Sequence, residues 1–394
     1  MQKITLLLFF LLIAKTSFSQ ESILSEKAEI SVLTIGPGVS LNDAFGHNAF
    51  RIKDPILGED MVFDYGVYNF STPNFYLKFA QGKLNYFLGL SYYADFYNAY
   101  VNQNRTVKEQ VLNLSKTEKQ KLFDYLINNY KPENRAYLYD FFFDNCATKI
   151  KDVAQISLNN TIVFNTSEQF SSKTFRTLIH NNLNQNSWGS LGIDIALGSV
   201  IDRKATAEQH MFLPEYIYTF FENATIKGTN KPLVKDSHIV YTKIETPVKN
   251  SFFSSPLFIF GIVGLFILYI TYRDYKNQKR SKWLDVILFL FTGFTGIGIL
   301  LLWFATDHKG THQNYNLLWA CALNLLVVWQ LLKTQTSNWV KKYLKFLVIL
   351  LGLLVVHWLT GVQIFAIGLI PLLMALFFRY LYLIYSFNKE NSKE

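Results

Sequence analysis

The chain has 394 residues and a net charge of +9, half of it is hydrophobic, and aromatic residues alone make up 16%. That length allows one substantial soluble core beside a membrane region. The excess of basic residues is not interleaved with aromatics in a patch, which argues against nucleic acid as a partner.

Residues 1–19 read as a secretory signal peptide, with Lys3 as the charged start, Thr5–Ala14 as the apolar stretch, and Ser17 and Ser19 as the small residues before cleavage at Gln20. A retained membrane anchor is the alternative. Residues 20–250 are mixed in composition and rich in Asn, Tyr and Phe, as expected of one exported domain. Residues 251–382 are dominated by apolar runs and read as about five membrane helices, near 252–272, 283–304, 315–332, 344–359 and 362–382. The fourth run is the shortest of them. A tail follows at 383–394.

Basic residues gather in alternate connectors: Arg273, Lys276, Lys279, Arg280 and Lys282 after the first run, then Lys333, Lys341, Lys342 and Lys345 after the third. Lys389 and Lys393 lie in the tail, with Arg379 near the end of the last run. The positive-inside rule then puts residues 20–250 outside the cytoplasm and the C-terminus inside it.

Within the exported domain, strands are expected at Glu29–Ile35, Gly46–Lys53 and Met61–Val67, where β-branched and aromatic residues alternate between turn-rich breaks. From residue 72 to about 156 the pattern is mainly helical, and Ser115 with Glu118 forms a capping signal for a helix over Thr117–Tyr130. Residues 157–250 are polar and loop-rich, and their fold does not follow from the sequence.

Chemistry centres on Tyr139–Asp152, which contains Cys146. Asp144 and Asn145 are N-cap residues, so Cys146 falls in the first turn of a helix, where unpaired N–H groups and the dipole favour a thiolate. Lys149 and Lys151 add positive charge nearby. The other cysteine, Cys321, lies in the third apolar run and cannot easily pair with it. A lone exported thiol is either a packed small residue or a nucleophile. A nucleophile needs a base and the base an orienting group. Of the seven histidines, His47 stands out, because it follows Gly46 on an expected strand. A strand histidine is also a common core residue. His308 and His312 are four apart but lack companion ligands, so no metal and no cofactor are expected.

Several stretches together carry a family resemblance: FGHNAFRI at 45–52, VFDYGVYNF at 62–70, GKLNYFLG at 82–89, LNLS at 112–115, YDFFFDNCATKIKD at 139–152, GIDIALGSVID at 192–202 and MFLPEY at 211–216. In the membrane part, Asp307-His308 and the Asn314–Trp319 stretch extend it. They resemble a lipoprotein N-acyltransferase family of Bacteroidota-type bacteria. The histidine-before-cysteine order and Asn145-Cys146 also resemble the permuted papain-like fold of the lecithin–retinol acyltransferase-like enzymes. The resemblance implies an α+β permuted papain-like periplasmic domain of the NlpC type, followed by the all-α membrane domain, in the inner membrane. It implies that Cys146 takes an acyl chain from a phospholipid as a thioester, with His47 as base, and passes it to the N-terminal amine of a diacylated lipoprotein. Asp64 is the candidate for orienting His47, and Tyr65 is the alternative. Asn145, Arg51, Tyr65, His308, His312 and Asn314 are candidates for holding substrate. A cysteine peptidase or amidase acting on peptidoglycan, a phospholipase A, and a tethered sensor remain alternatives on sequence.

Overall fold

The computed structural model describes residues 23–245, 252–333 and 336–391. The signal sequence expected at 1–19 lies outside the described residues.

The N-terminal domain is built on seven antiparallel strands. In chain order its elements are β1 (Glu29–Ile35), β2 (His47–Asp54), β3 (Glu59–Val67), α1 (Phe75–Ala80), β4 (Asn85–Tyr92), α2 (Tyr93–Asn102), β5 (Val107–Leu112), α3 (Lys116–Tyr130), β6 (Ala136–Leu138) and α4 (Cys146–Ser157). Then come β7 (Ile162–Val163), α5 (Phe175–His180), α6 (Trp188–Ala196), α7 (Ala207–His210), α8 (Pro214–Glu222), β8 (Thr225–Ile226), β9 (Lys231–Pro232) and β10 (Val234–Tyr241). The large sheet runs β10-β5-β1-β2-β3-β4-β6, and β7, β8 and β9 form a small second sheet.

Alternation along the strands sends residues to two different layers. On one face Ile30, Val32, Phe50, Ile52, Phe63 and Tyr65 pack against Leu122 and Phe123 of α3, Ile150 and Val153 of α4, and Ile217 and Phe221 of α8. On the other, Leu33, Ile35, Ala49, Val62 and Val107 pack under Phe96 and the tyrosines of α2. The capping box expected for α3 forms, with the Ser115 hydroxyl accepting from the Glu118 N–H and the Glu118 carboxylate accepting from the Ser115 N–H. Such a cap contributes about 1 kcal/mol.

Two expectations for this domain need correction. The stretch from 72 to 156 is not mainly helical, because β4, β5 and β6 fall within it. Asn85–Tyr92 and Val107–Leu112 become strands by pairing with β3 and β1, a long-range gain that local pattern does not reveal. The loop-rich 157–250 stretch also supplies β10, which lies along β5 at the edge of the sheet.

The C-terminal domain contains α9 (Pro256–Asn277), α10 (Lys282–Phe304), α11 (Asn324–Leu332), α12 (Asn338–Thr360) and α13 (Ile370–Asn391). Among the described residues, four helices are long and apolar enough to cross a membrane: α9, α10, α12 and the helical stretch Ile367–Lys389. The expected third span is not one long helix. Tyr315–Leu318 forms a 3-10 turn, and a helix resumes only at Asn324. The fourth run, expected to be the shortest, is instead part of a 23-residue helix. The broken segment starts beside the N-terminal domain, where Asn316 donates to the Asp194 carbonyl. It ends beside the start of α10, where Arg280 and Lys282 donate to the carbonyls of Leu331 and Leu332.

Arg379 is no exposed topology mark. It is fully buried, and its guanidinium donates to Asp274 at 2.8 Å and Asp285 at 2.7 Å, tying α9, α10 and α13 together.

Candidate active site

Cys146 is the first residue of α4, and Asn145 caps that helix. The Asn145 side chain accepts from the Thr148 N–H at 2.9 Å and donates to the carbonyls of Phe141 at 2.7 Å and Phe212 at 2.8 Å. Both amide hydrogens are therefore spent on holding the helix start. Asn145 is a clamp for the Cys146 backbone, with no amide hydrogen left for a substrate.

His47 begins β2 on the α2 face of the sheet, and Asp64 of β3 lies opposite Ala49 on that face. The Asp64 carboxylate accepts from His47 Nε2. Asp64, expected as the orienting group, is so placed, and Nδ1 is left for the sulfur. Tyr65 points to the opposite face and donates its hydroxyl to Asn129 at 2.5 Å, so it cannot orient His47. At Gly66 the strand bends with φ +102°, and an added Cβ would sit 3.8 Å from Cys146 Cβ and 3.9 Å from His47 Cε1. The positive φ is what calls for glycine here, since a Cβ at those distances makes only ordinary contacts. Gly46, just before His47, packs as expected against a neighbouring backbone, with the Ile35 carbonyl 2.6 Å from where a Cβ would be.

Electrostatics couple the two groups. Burial opposes ionisation of Cys146, but the charge and hydrogen bond of His47 and the backbone N–H of Asn48 outweigh it, so the thiol lies below its ordinary range. Burial likewise opposes charging of His47, yet Tyr100, Asp64, Cys146 and the bond to Asp64 hold it well above 6.5. Both shifts favour a thiolate beside an imidazolium. The lysines expected to help are engaged elsewhere, Lys149 with Asp144 at 2.7 Å and Lys151 with Asp152 at 3.2 Å.

Three neighbours had no sequence signal beyond being aromatic. The Tyr100 ring stacks on His47 with centroids 6.2 Å apart. Tyr137 lies under the Lys149 ammonium, one helical turn from Cys146, and its buried hydroxyl has no hydrogen-bond partner among the described residues. Burial, and next the charge of Cys146, raise that hydroxyl's pKa well above its ordinary value. Tyr139 stacks on Tyr86 at 4.3 Å and also has Cys146 as its leading electrostatic neighbour after burial.

The remaining candidates are not gathered at the dyad. Arg51 is saturated by Asp60 at 2.7 Å and Glu109 at 2.9 Å and lies over the Tyr93 ring. Asn314 is buried and donates to the carbonyls of Ile195 and Ala196. His308 Nε2 bonds the Phe79 carbonyl at 3.0 Å, and the His312 carbonyl packs against Gly198. Asn314, His308 and His312 therefore join the two domains instead of lining the site.

The junction they form is extensive. Gly198 N–H donates to the Gly310 carbonyl and Ser199 N–H to the Gln313 carbonyl, both at 3.0 Å, and Ile364 N–H donates to Asp202 at 3.3 Å. Behind it, buried Arg176 joins Asp194 at 2.8 Å and Asp202 at 2.9 Å. Among the described residues no group of three or more His, Cys, Asp or Glu side chains is placed to hold a metal.

The molecule is thus a membrane protein whose helical domain is joined to a sheet-based domain carrying a half-buried Cys–His–Asp constellation. Residues 14–181 match the Lnb N-terminal periplasmic domain, and residues 248–391 match the Lnb transmembrane domain. Two matches in that order support an Lnb-type family, with a periplasmic domain preceding the transmembrane one. Neither a curated protein nor a solved structure matches the chain.

Proposed function

We propose that this protein is a membrane-bound thiol acyltransferase that moves a fatty acyl chain from a phospholipid to the N-terminal amine of a bacterial lipoprotein. The observation that carries it is the Cys146–His47 pair, oriented by Asp64, on a domain tied directly to membrane helices. The Lnb-type matches and the histidine-first order of a permuted papain-like domain support the same chemistry.

In the first half-reaction the Cys146 thiolate attacks the ester carbonyl, forming a tetrahedral oxyanion. The Tyr137 hydroxyl, which lacks an acceptor among the described residues, and the Cys146 backbone N–H at the helix start are the donors for it. The intermediate collapses to a thioester, and the glycerol oxygen leaves as lysophospholipid with the proton of the His47 imidazolium. In the second half-reaction the neutral α-amine of a diacylated lipoprotein attacks the thioester carbonyl. His47 accepts the amine's proton, the amide forms, and Cys146 leaves as thiolate. The periplasmic domain lies outside the cytoplasm and the C-terminus inside, and the bacterial inner membrane supplies the donor.

Mass spectrometry of lipoprotein N-termini from cells carrying the wild-type chain or Cys146→Ala tests this. Triacylated N-termini should disappear in the variant, with diacylated free amines in their place. Unchanged triacylation would rule out lipoproteins as the acceptor. A phospholipase would leave N-termini unchanged and release free fatty acid, and a peptidase would ignore phospholipid.

A further inference from the structure

The segment between β3 and β4 is apolar where solvent-facing chain is normally polar. Val67, Tyr68, Phe70, Tyr76, Leu77 and Phe79 are all exposed, Phe70 to 66% and Tyr76 to 78%. Helix α1, FYLKFA, has no buried residue at all. Contiguous exposed apolar surface of this kind marks a binding face.

Its position says what covers it. The Gln81 carbonyl, just past α1, accepts from the Asp307 N–H at 2.8 Å, and the Phe79 carbonyl bonds His308 Nε2 at 3.0 Å. Asp307 and His308 come two residues after α10, whose last turn holds the stacked pair Trp303 and Phe304, the latter 71% exposed. Aromatic residues at the end of a span mark the lipid–water interface. The exposed face of α1 is therefore held at the level where the outer leaflet begins, and Lys78 and Lys83 lie in and beside it. Apolar rings with flanking lysines suit the headgroup–acyl boundary.

The same patch leads to the nucleophile. Ring contacts run unbroken from Tyr139 to Tyr86 at 4.3 Å, Tyr86 to Tyr68 at 5.4 Å, Tyr68 to Phe75 at 5.9 Å and Phe75 to Tyr76 at 5.3 Å. At its inner end Tyr139 adjoins the Cys146 stretch, and Val67 follows Gly66, beside which Cys146 and His47 meet. We infer that the 67–80 segment is seated in the outer leaflet of the bilayer and that its aromatic chain guides a phospholipid acyl chain from the membrane to Cys146. The seating in lipid stands by itself; the guiding role rests on the acyltransferase function proposed above.

The test uses the full chain in phospholipid nanodiscs, with Cys146→Ala and Cys321→Ser removing the native thiols. Nitroxide labels are placed at Tyr76→Cys, at Leu77→Cys, and at Ile56→Cys in the β2–β3 turn, at the far end of those strands. Labels at 76 and 77 should collide more with oxygen than with a water-soluble nickel chelate, and the label at 56 the reverse. Nickel access at 76 and 77 equal to that at 56 overturns the seating. In chains that retain Cys146, Tyr76→Ser with Leu77→Ser should slow acylation of Cys146 by bilayer phospholipid about tenfold or more. Alkylation of Cys146 by iodoacetamide should stay unchanged, showing the dyad intact. Unchanged acylation overturns the guiding role. If wild-type protein is not acylated by phospholipid at all, the proposed function fails while the label result still decides the seating.

Discussion

Gly310, in the loop between two membrane segments, lies directly against the ring of Phe142, four residues before Cys146. A Cβ on Gly310 would come within 2.7 Å of Phe142 Cε2 and 3.2 Å of Leu197 Cδ2. Lys309 beside it lies over the Phe143 ring at 5.3 Å. The membrane domain is therefore built into the support of the helix that begins at Cys146, and is more than an anchor.

This junction can be broken at one atom. At Gly198 a Cβ would fall 1.8 Å from the His312 carbonyl oxygen, and backbone cannot yield as a side chain does. Gly198→Ala should destabilise the junction by about 1–3 kcal/mol and lower acylation, read as a lower unfolding temperature in detergent and faster proteolysis between the domains. Gly192→Ala, in a helix with nothing within 4 Å of the new Cβ, is the matched control and should be neutral or slightly stabilising.

The pH profile of the first half-reaction reports the dyad. Its acid limb follows the Cys146 thiol, held below its usual range, and its basic limb follows His47, held well above 6.5. The Asp64 charge raises both values, so Asp64→Asn should move both limbs to lower pH. It should also cost on the order of 10²- to 10⁴-fold in rate, because the imidazole loses its orienting partner. Limbs that stay in place would show that Asp64 is not coupled to the pair.

Tyr137→Phe removes a hydroxyl that has no partner among the described residues, so the fold should lose little stability. If that hydroxyl meets the oxyanion, kcat should fall about 10²- to 10³-fold with KM nearly unchanged. A change confined to KM would place it at the ground-state lipid instead.

The core of this site was legible because its signals are local. Asn145 caps a helix, Gly46 marks close backbone approach to β1, and β1 lies where alternation puts it. Asp64 is legible through the adjacency of its strand to that of His47. What was not legible depends on partners distant in the chain. The 192–202 stretch looked like polar loop because its Gly, Asp and backbone groups are matched to Gly310, Arg176, Asn314 and Asn316, which come from other elements. Arg51, Asn145 and Asn314 resembled substrate ligands because a buried polar group and a binding group have the same composition, and only hydrogen-bond accounting separates them. Tyr137 left no trace in sequence, because an unpaired hydroxyl is visible only in three dimensions.

Topology follows from the broken third segment. A reporter active only outside the cytoplasm should be active when fused after Gln313 and silent when fused after Lys333 or at the C-terminus. Activity after Lys333 would mean that residues 315–332 turn back instead of crossing.

The central claim is a thioester on Cys146 that an amine discharges. Purified full-length protein mixed with phospholipid alone should gain one fatty-acyl mass on the peptide containing Cys146, removable by hydroxylamine and absent in Cys146→Ala. Adding a diacylated lipopeptide with a free N-terminal amine should clear that mass and yield the N-acylated lipopeptide with lysophospholipid. Free fatty acid formed at the same rate with or without the lipopeptide, or no acyl mass on Cys146 at all, would contradict the account.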